Sequence, residues 1–160
     1  MNAELAHYLF DYRDGALYWR VKPCRRDPTG MKAGYIDPAR GYTAINYKRK
    51  RYYAHRIIYL MHNGYLPAEV DHIDGDKTNN RVENLRACTH AQNGQNKSAQ
   101  ANNKSGIKNV VWDKNRAKWV VYMKVDGRNR NFGGFEDLEL AAFVASELRD
   151  KHHAEFARHG

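Results

Sequence analysis

The sequence predicts an α+β chain in two parts. Short strands and a helix lead into a strand, long polar loop, strand and helix; a three-stranded antiparallel sheet with one long helix follows. Three observations predict this. Lys118–Val125 alternates, with Trp119, Val121, Met123 and Val125 on one face and Lys118, Val120, Tyr122 and Lys124 on the other. Asp126-Gly127 after it is a two-residue hairpin signal, because both residue types tolerate positive φ. Leu138, Ala141, Ala145, Leu148 and His152 recur at steps of three and four, the pattern of a helix laid on a sheet.

The elements follow in chain order. Leu17–Val21 and Tyr42–Tyr47 read as strands, and Arg51–His55 can pair with the second across the polar turn Lys48-Arg49-Lys50. Asp27–Gly34 holds Pro28, Gly30 and Gly34 and reads as loop. His55–His62 reads as a helix with Ile57, Ile58, Leu60 and Met61 on its apolar face, ended by Asn63-Gly64. Glu69–Ile73 and Arg86–Cys88 read as strands flanking the polar loop, and Thr89 can cap a helix through about Ala99. The polar stretch at residues 100–105 reads as a linker, which divides the chain into residues 1–99 and 106–160. In the second part Ile107–Trp112, Lys118–Val125 and Arg130–Phe132 are the expected strands, and Asp137–Arg158 the expected helix.

Composition narrows the functional classes. The chain has 160 residues, a length for one domain or two small ones, and 42% of them are hydrophobic. Lys and Arg number 27 against 18 Asp and Glu, a net charge of +9 that favours polyanionic partners. Cys24 and Cys88 are too few and too far apart for a disulfide framework or a cysteine zinc site, which fits a reducing, cytoplasmic setting. The start, MNAELAHYLF, carries no basic region or long apolar run, so no signal peptide is expected. No membrane span is expected either.

Residues 70–96, VDHIDGDKTNNRVENLRACTHAQNGQN, concentrate the chemistry. Phosphodiester cleavage needs a base for the attacking water and positive charge on the phosphoryl and leaving oxygens. A neutral histidine supplies the first and a divalent cation the second. Asp71 and the Asn93 side-chain carbonyl are hard oxygen donors suited to Mg²⁺ or Mn²⁺, and His72 stands beside the acid. In a regular strand Asp71 and His72 point to opposite faces, so a shared site needs a twist or a strand end. A calcium EF-hand fails here, with Asn79 where glycine is required and Leu85 where the bidentate glutamate belongs. Cys88 and nearby histidines offer too few ligands for zinc. Asp76, Asn79 and Asn80 read as loop-capping side chains.

Asp71-His72, Asn79-Asn80, Asn84-Leu85-Arg86 and Asn93 make the motif over residues 70–97 resemble the HNH endonuclease family, phage homing type. The resemblance implies a ββα-metal nuclease core, preceded here by a small β-rich segment. It implies Asp71 and Asn93 as ligands of one Mg²⁺ or Mn²⁺ and His72 as general base. Asn84 is the residue implied to brace the loop and orient the histidine. The implied products are 5′-phosphate and 3′-hydroxyl ends, and a phage source implies the bacterial host cytoplasm. An intact acid, histidine and asparagine set favours this over the alternative, a non-catalytic sequence-specific DNA-binding regulator on an HNH-like scaffold. One site per chain favours nicking over double-strand cutting and a monomer on double-stranded DNA over an obligate oligomer. No organic cofactor is expected.

Gly106-Ile107, Val110-Val111-Trp112, Lys118-Trp119, Phe132-Gly133-Gly134-Phe135, Ala141-Ala142 and Glu155-Phe156-Ala157 make residues 106–160 resemble the AP2 DNA-binding domain. That resemblance, with the strand alternation, implies a groove-facing set of Lys108, Trp112, Lys114, Lys118, Tyr122, Lys124, Asn129 and Asn131. Arg116 and Arg128 would reach phosphates, while Trp119 and Phe132 belong to the core. Upstream, Lys48, Arg49, Lys50 and Arg51 form a basic hairpin tip for phosphate contact, since clustered cations release counterions. His55, before Arg56, is either a structural histidine or a phosphate contact.

Overall fold

The structure is a computed structural model that describes residues 1–22, 29–96, 103–153 and 156–157. Cys24, Asp27, Pro28, Lys97, Ala99, the linker positions 100–102, Glu155, Arg158 and His159 lie outside the described residues. The chain divides into two compact units, Met1–Thr89 and His90–Gly160. No helix is long and apolar enough to cross a membrane.

The first unit begins with helix α1 (Ala3–Leu9), capped by the Asn2 side chain, and hairpin β1 (Phe10–Arg13) and β2 (Ala16–Trp19). Asp14 and Gly15 make its turn at φ 47° and 80°, the same Asp-Gly chemistry expected only at Asp126-Gly127. A three-stranded sheet follows, with β4 (Thr43–Tyr47) between β3 (Tyr35–Ile36) and β5 (Lys50–Tyr53). Lys48 and Arg49 turn the β4–β5 hairpin, both at positive φ. Chain after β5 enters helix α2 (Ala54–Asn63) directly, which ends on the left-handed Gly64.

Hairpin β6 (Glu69–His72) and β7 (Leu85–Cys88) closes the unit, joined by the polar loop and a 3₁₀ turn at Val82–Asn84. The core gathers Ala6 and Leu9 from α1, Phe10, Leu17 and Trp19 from the first hairpin, and Ile45 from β4. Ile57 and Ile58 from α2, with Val70 and Leu85 from the last hairpin, complete it. Helix α1 and strands β2, β4, β5, β6 and β7 all contact α2, so α2 is the post on which both hairpins rest.

The second unit opens with short helix α3 (His90–Gln95). Strands β8 (Val110–Asp113), β9 (Lys118–Val125) and β10 (Arg128–Phe135) then form an antiparallel sheet with β9 in the centre. Helix α4 (Leu138–His153) packs on one face, burying Ala141 and Ala145 against Val110 and Val121. Asp137 precedes the helix and accepts the Leu140 N–H at 2.7 Å, so it is a cap and not the first helical residue. Asp126 and Gly127 turn β9 into β10 at φ 52° and 77°.

Two details of this unit differ from the alternation pattern. Val120 is fully buried although it shares a face with Tyr122 and Lys124. Strand pairing also sets Trp112 opposite Trp119 and Val111 opposite Val120. Trp112 therefore lies on the helix-packed face with Trp119, their rings edge to face at 4.9 Å, and not beside Tyr122. The sequence pattern misses this because register depends on where the turn falls, and one residue of slip exchanges the faces.

Candidate active site

Asp71 and His72 are the last two residues of β6 and both are buried, at 7% and 3% exposure. Cross-strand pairing sets Asp71 opposite Arg86. The Arg86 guanidinium donates to Asp71 Oδ2 from Nε at 3.2 Å and from a terminal nitrogen at 3.0 Å. This charge-assisted grip offsets the cost of burying the carboxylate.

His72 sits in a ring of aromatic and imidazole side chains. Tyr42, one residue before β4, stacks on it with centroids 5.9 Å apart, and His55 of α2 meets it edge-on at 4.9 Å. Tyr53 and Tyr42 in turn pack on His55. Burial raises the Tyr42 hydroxyl above its ordinary value, and the Asp71 charge adds to the effect. His55 is 5% exposed, and its Nδ1 has no hydrogen-bond partner among the described residues. Burial first, then His72 and Arg56, pushes its imidazole down to about 3.

The loop between β6 and β7 is closed by amides. Asn84 Oδ1 accepts the Asp74 N–H at 3.0 Å, and its Nδ2 donates to Asp74 Oδ1 at 2.9 Å and to the Asn79 carbonyl at 2.8 Å. Desolvation raises the Asp74 carboxyl, but hydrogen bonds from Asn79, Asn84 and the Asp76 amide outweigh it and hold Asp74 below its ordinary value. Asp76 accepts the Thr78 N–H and hydroxyl, a local turn cap.

Asn80 is different. It is 3% exposed and its Oδ1 lies 3.0 Å from His72 Nε2. Asn84, which the family resemblance implied would orient the histidine, bonds Asp74 and Asn79. The His72 contact belongs to Asn80, read from sequence as a loop cap. The first hairpin holds this part of the loop. Tyr12 OH accepts the Val82 N–H at 3.1 Å, and Arg81 pairs with Asp14 at 2.8 Å. Gly15, at φ 80°, lies against the Asn80–Arg81 backbone, where a Cβ would sit 3.1 Å from Arg81 N.

The remaining candidates are spread over both units. Lys48, Arg49 and Lys50 are exposed at the β4–β5 tip, while Arg51 bonds the buried Asp37 at 3.0 Å. Arg56 donates to the carbonyls of Pro67 and Ala68 and so ties α2 to the approach of β6. Asn93 lies on α3 in the second unit.

On the sheet, Tyr122 and Lys124 of β9 stand opposite Asn131 and Asn129 of β10, all exposed on one face. Lys114, Arg116 and Arg128 are exposed; Lys118 reaches Glu136 at 3.6 Å and Arg116 reaches Asp113 at 3.7 Å. The Lys108 ammonium bonds the Gln95 carbonyl, and the Lys108 carbonyl accepts from Arg149.

Among the described residues no group of three or more His, Cys, Asp or Glu is arranged to hold a metal ion. Of the two donors the family resemblance implies, Asp71 lies at this site and Asn93 in the second unit. The Asp71 carboxylate is a hard oxygen donor, the kind that suits a cation keeping most of its waters. Burial, then Asp71 and Glu69, push the Cys88 thiol up to about 11.

Comparison with known proteins bears on the same residues. A family model described as HNH endonuclease matches residues 52–95, from β5 to the end of α3. Protein 3.8 of Escherichia phage T7 is 34% identical over 98 residues, 60% of this chain and 80% of that protein. Uncharacterized HNH endonuclease L560 of Acanthamoeba polyphaga mimivirus is 32% identical over 116 residues. That match covers 71% of this chain and 59% of the mimivirus protein, so the chain spans less than two thirds of this relative. No solved structure matches the chain.

Proposed function

We propose that this chain, whose residues 52–95 match a family model described as HNH endonuclease, is a metal-dependent DNA endonuclease hydrolysing phosphodiester bonds. The observation that carries the reading is the buried Asp71-His72 pair at the end of β6, each member gripped by a polar partner within the matched residues. Burying an acid and an imidazole side by side costs stability, and such groups cluster at functional sites.

In this reading His72 takes the proton of the attacking water. The water oxygen bonds phosphorus as the P–O3′ bond breaks, and the 3′ oxygen takes a proton from solvent. The ends are 5′-phosphate and 3′-hydroxyl. Asp71 would hold one Mg²⁺ or Mn²⁺, with Asn93 the second donor implied by the family resemblance, and the bound cation would supply positive charge at the phosphoryl and leaving oxygens. Arg86 holds Asp71 in place, and Asn84 closes the loop that follows His72.

The second unit is an AP2-like DNA-binding module. Lys124, Tyr122, Asn129 and Asn131 face the groove from the open side of the sheet, and Lys114, Arg116, Lys118 and Arg128 reach phosphates. Lys48, Arg49 and Lys50 grip flanking backbone. Acting as a monomer with one site, the enzyme nicks, and its setting is the cytoplasm of a phage-infected bacterium.

The test incubates purified protein with supercoiled plasmid carrying a bound site, with and without Mg²⁺ or Mn²⁺, beside His72→Ala. Nicked circles from wild type with metal, and none from the variant, are expected. DNA that is bound but uncut under every divalent metal would leave the non-catalytic regulator as the surviving reading.

A further inference from the structure

We infer that Asn80 is the positioning residue that fixes which nitrogen of His72 acts as the base: it holds the proton on Nε2 and so leaves the lone pair on Nδ1. The inference deepens the nuclease reading above and rests on it. It is carried by hydrogen-bond directions alone.

A side-chain amide can face its surroundings in two ways, and Asn80 has partners that choose one. The Thr78 backbone carbonyl lies 3.1 Å from one amide atom. A carbonyl only accepts, so that atom must be the NH₂. The same NH₂ lies 3.4 Å from Thr43 Oγ1, a hydroxyl on β4 that accepts in turn. The other amide atom is therefore Oδ1, and it faces His72 Nε2 at 3.0 Å. An amide oxygen cannot donate, so Nε2 carries the hydrogen. In a neutral imidazole the remaining nitrogen, Nδ1, holds the lone pair.

The arrangement is built, not incidental. Asn80 is almost wholly buried, in a loop otherwise open to solvent. Two separate parts of the first unit keep it there. Thr43 anchors its NH₂ from β4, while Tyr12 and Asp14 from the first hairpin hold the next two residues. Tyr42, beside Thr43, stacks on the ring that Asn80 orients, so one short stretch fixes both the plane of His72 and its tautomer. Histidine bases on other scaffolds are set in the same way, by the hydrogen bond made at the second nitrogen.

The test has two arms on the full-length protein. In the first, histidine is ¹⁵N-labelled and the two ring nitrogens of His72 are assigned by NMR at a pH where the ring is neutral. A protonated Nε2 and an unprotonated Nδ1 are expected in wild type; a proton on Nδ1 overturns the inference whatever the activity. In the second, plasmid nicking is measured for Asn80→Ala and Asn80→Asp, with circular dichroism melts to confirm folding.

Asn80→Ala should lower kcat by about 10- to 100-fold, the usual cost of losing such an orienting partner, with KM little changed. Asn80→Asp keeps an acceptor for Nε2–H and should recover much of that loss, while keeping the wild-type tautomer. A residue that only held the loop would behave otherwise, since aspartate has no N–H for Thr78 and would do no better than alanine. Equal losses in the two variants, or a wild-type kcat in Asn80→Ala, overturn the inference. Failure of the nuclease reading is distinct: wild type itself would not cut, and no base would remain to be positioned.

Discussion

The two units set their candidate functional side chains in opposite ways. In Met1–Thr89 the polar groups that matter are inside: Asp71, His72, Asn80 and His55 are all buried, and three of them are bonded to named partners. In His90–Gly160 the sheet buries Val110, Val121 and Met123 toward the helix. Its polar residues Lys124, Asn129 and Asn131 stand in solvent. A buried polar group has one geometry and a large cost if it is disturbed. An exposed cation has many geometries and a small contribution that salt erodes. Chemistry that needs an atom held within a fraction of an ångström belongs in the first setting, and electrostatic attraction to a long polyanion belongs in the second.

Substitutions can break or sharpen that contrast. The largest effect is expected at His72→Ala, where loss of the base should reduce nicking by about 10²- to 10⁴-fold. DNA affinity measured by gel shift should stay unchanged. A loss of affinity as large as the loss of rate would erase the division of labour between the units.

Asp71→Ala should abolish nicking and also destabilise the fold, because the Arg86 charge stays mostly buried after its carboxylate partner is gone. Urea unfolding should register about 3 kcal/mol. A stability change below about 0.5 kcal/mol would class the pair with surface ion pairs.

His55 sharpens the contrast through pH. Its imidazole lies at about 3 in the folded chain against an ordinary 6.5. The unfolded state therefore takes the proton first, so stability is complete above pH 6.5 and falls as the pH drops toward 3. At about 1.4 kcal/mol per pH unit, some 3 kcal/mol should be gone by pH 4. Denaturation midpoints at pH 7 and pH 4 measure it, and His55→Phe should flatten the difference. An equal acid loss in the variant would assign the effect to other groups.

The smallest effect is expected on the sheet. Lys118→Ala with Lys124→Ala should weaken DNA binding modestly and flatten the log-affinity against log-salt slope by up to about one unit per lost phosphate contact. Nicking per bound complex should not change. An unaltered slope and affinity would remove both lysines from the DNA face.

Local signals in the sequence reach unevenly into the fold. The strand limits of β9 and the helix after β5 follow from alternation and an Asn-Gly stop, and both are found. Asp14-Gly15 is the same hairpin signal as Asp126-Gly127 and would have revealed β1 and β2. Asn2, four residues ahead of the buried Ala6, is a readable cap for α1. Expected strand ends at Val21 and His55 overran, because the chain turns into a bend at the first and into α2 at the second. The Trp112 face is not readable locally at all, since it depends on pairing with β9.

By itself, then, the sequence determined the local units and the inventory of chemistry: an acid beside a histidine, amides downstream, cations in excess. Those are properties of neighbours along the chain, where periodicity and turn chemistry act over a few residues. Tertiary structure decided which amide meets the imidazole. Asn80 and Asn84 are near-equivalents in a polar loop, and nothing between them separates their roles. The choice is made by Thr43, 37 positions away, together with Tyr42, Tyr12 and Asp14. An interior position becomes distinct from a surface one only when distant elements close over it, because burial is a property of the folded chain and not of the segment.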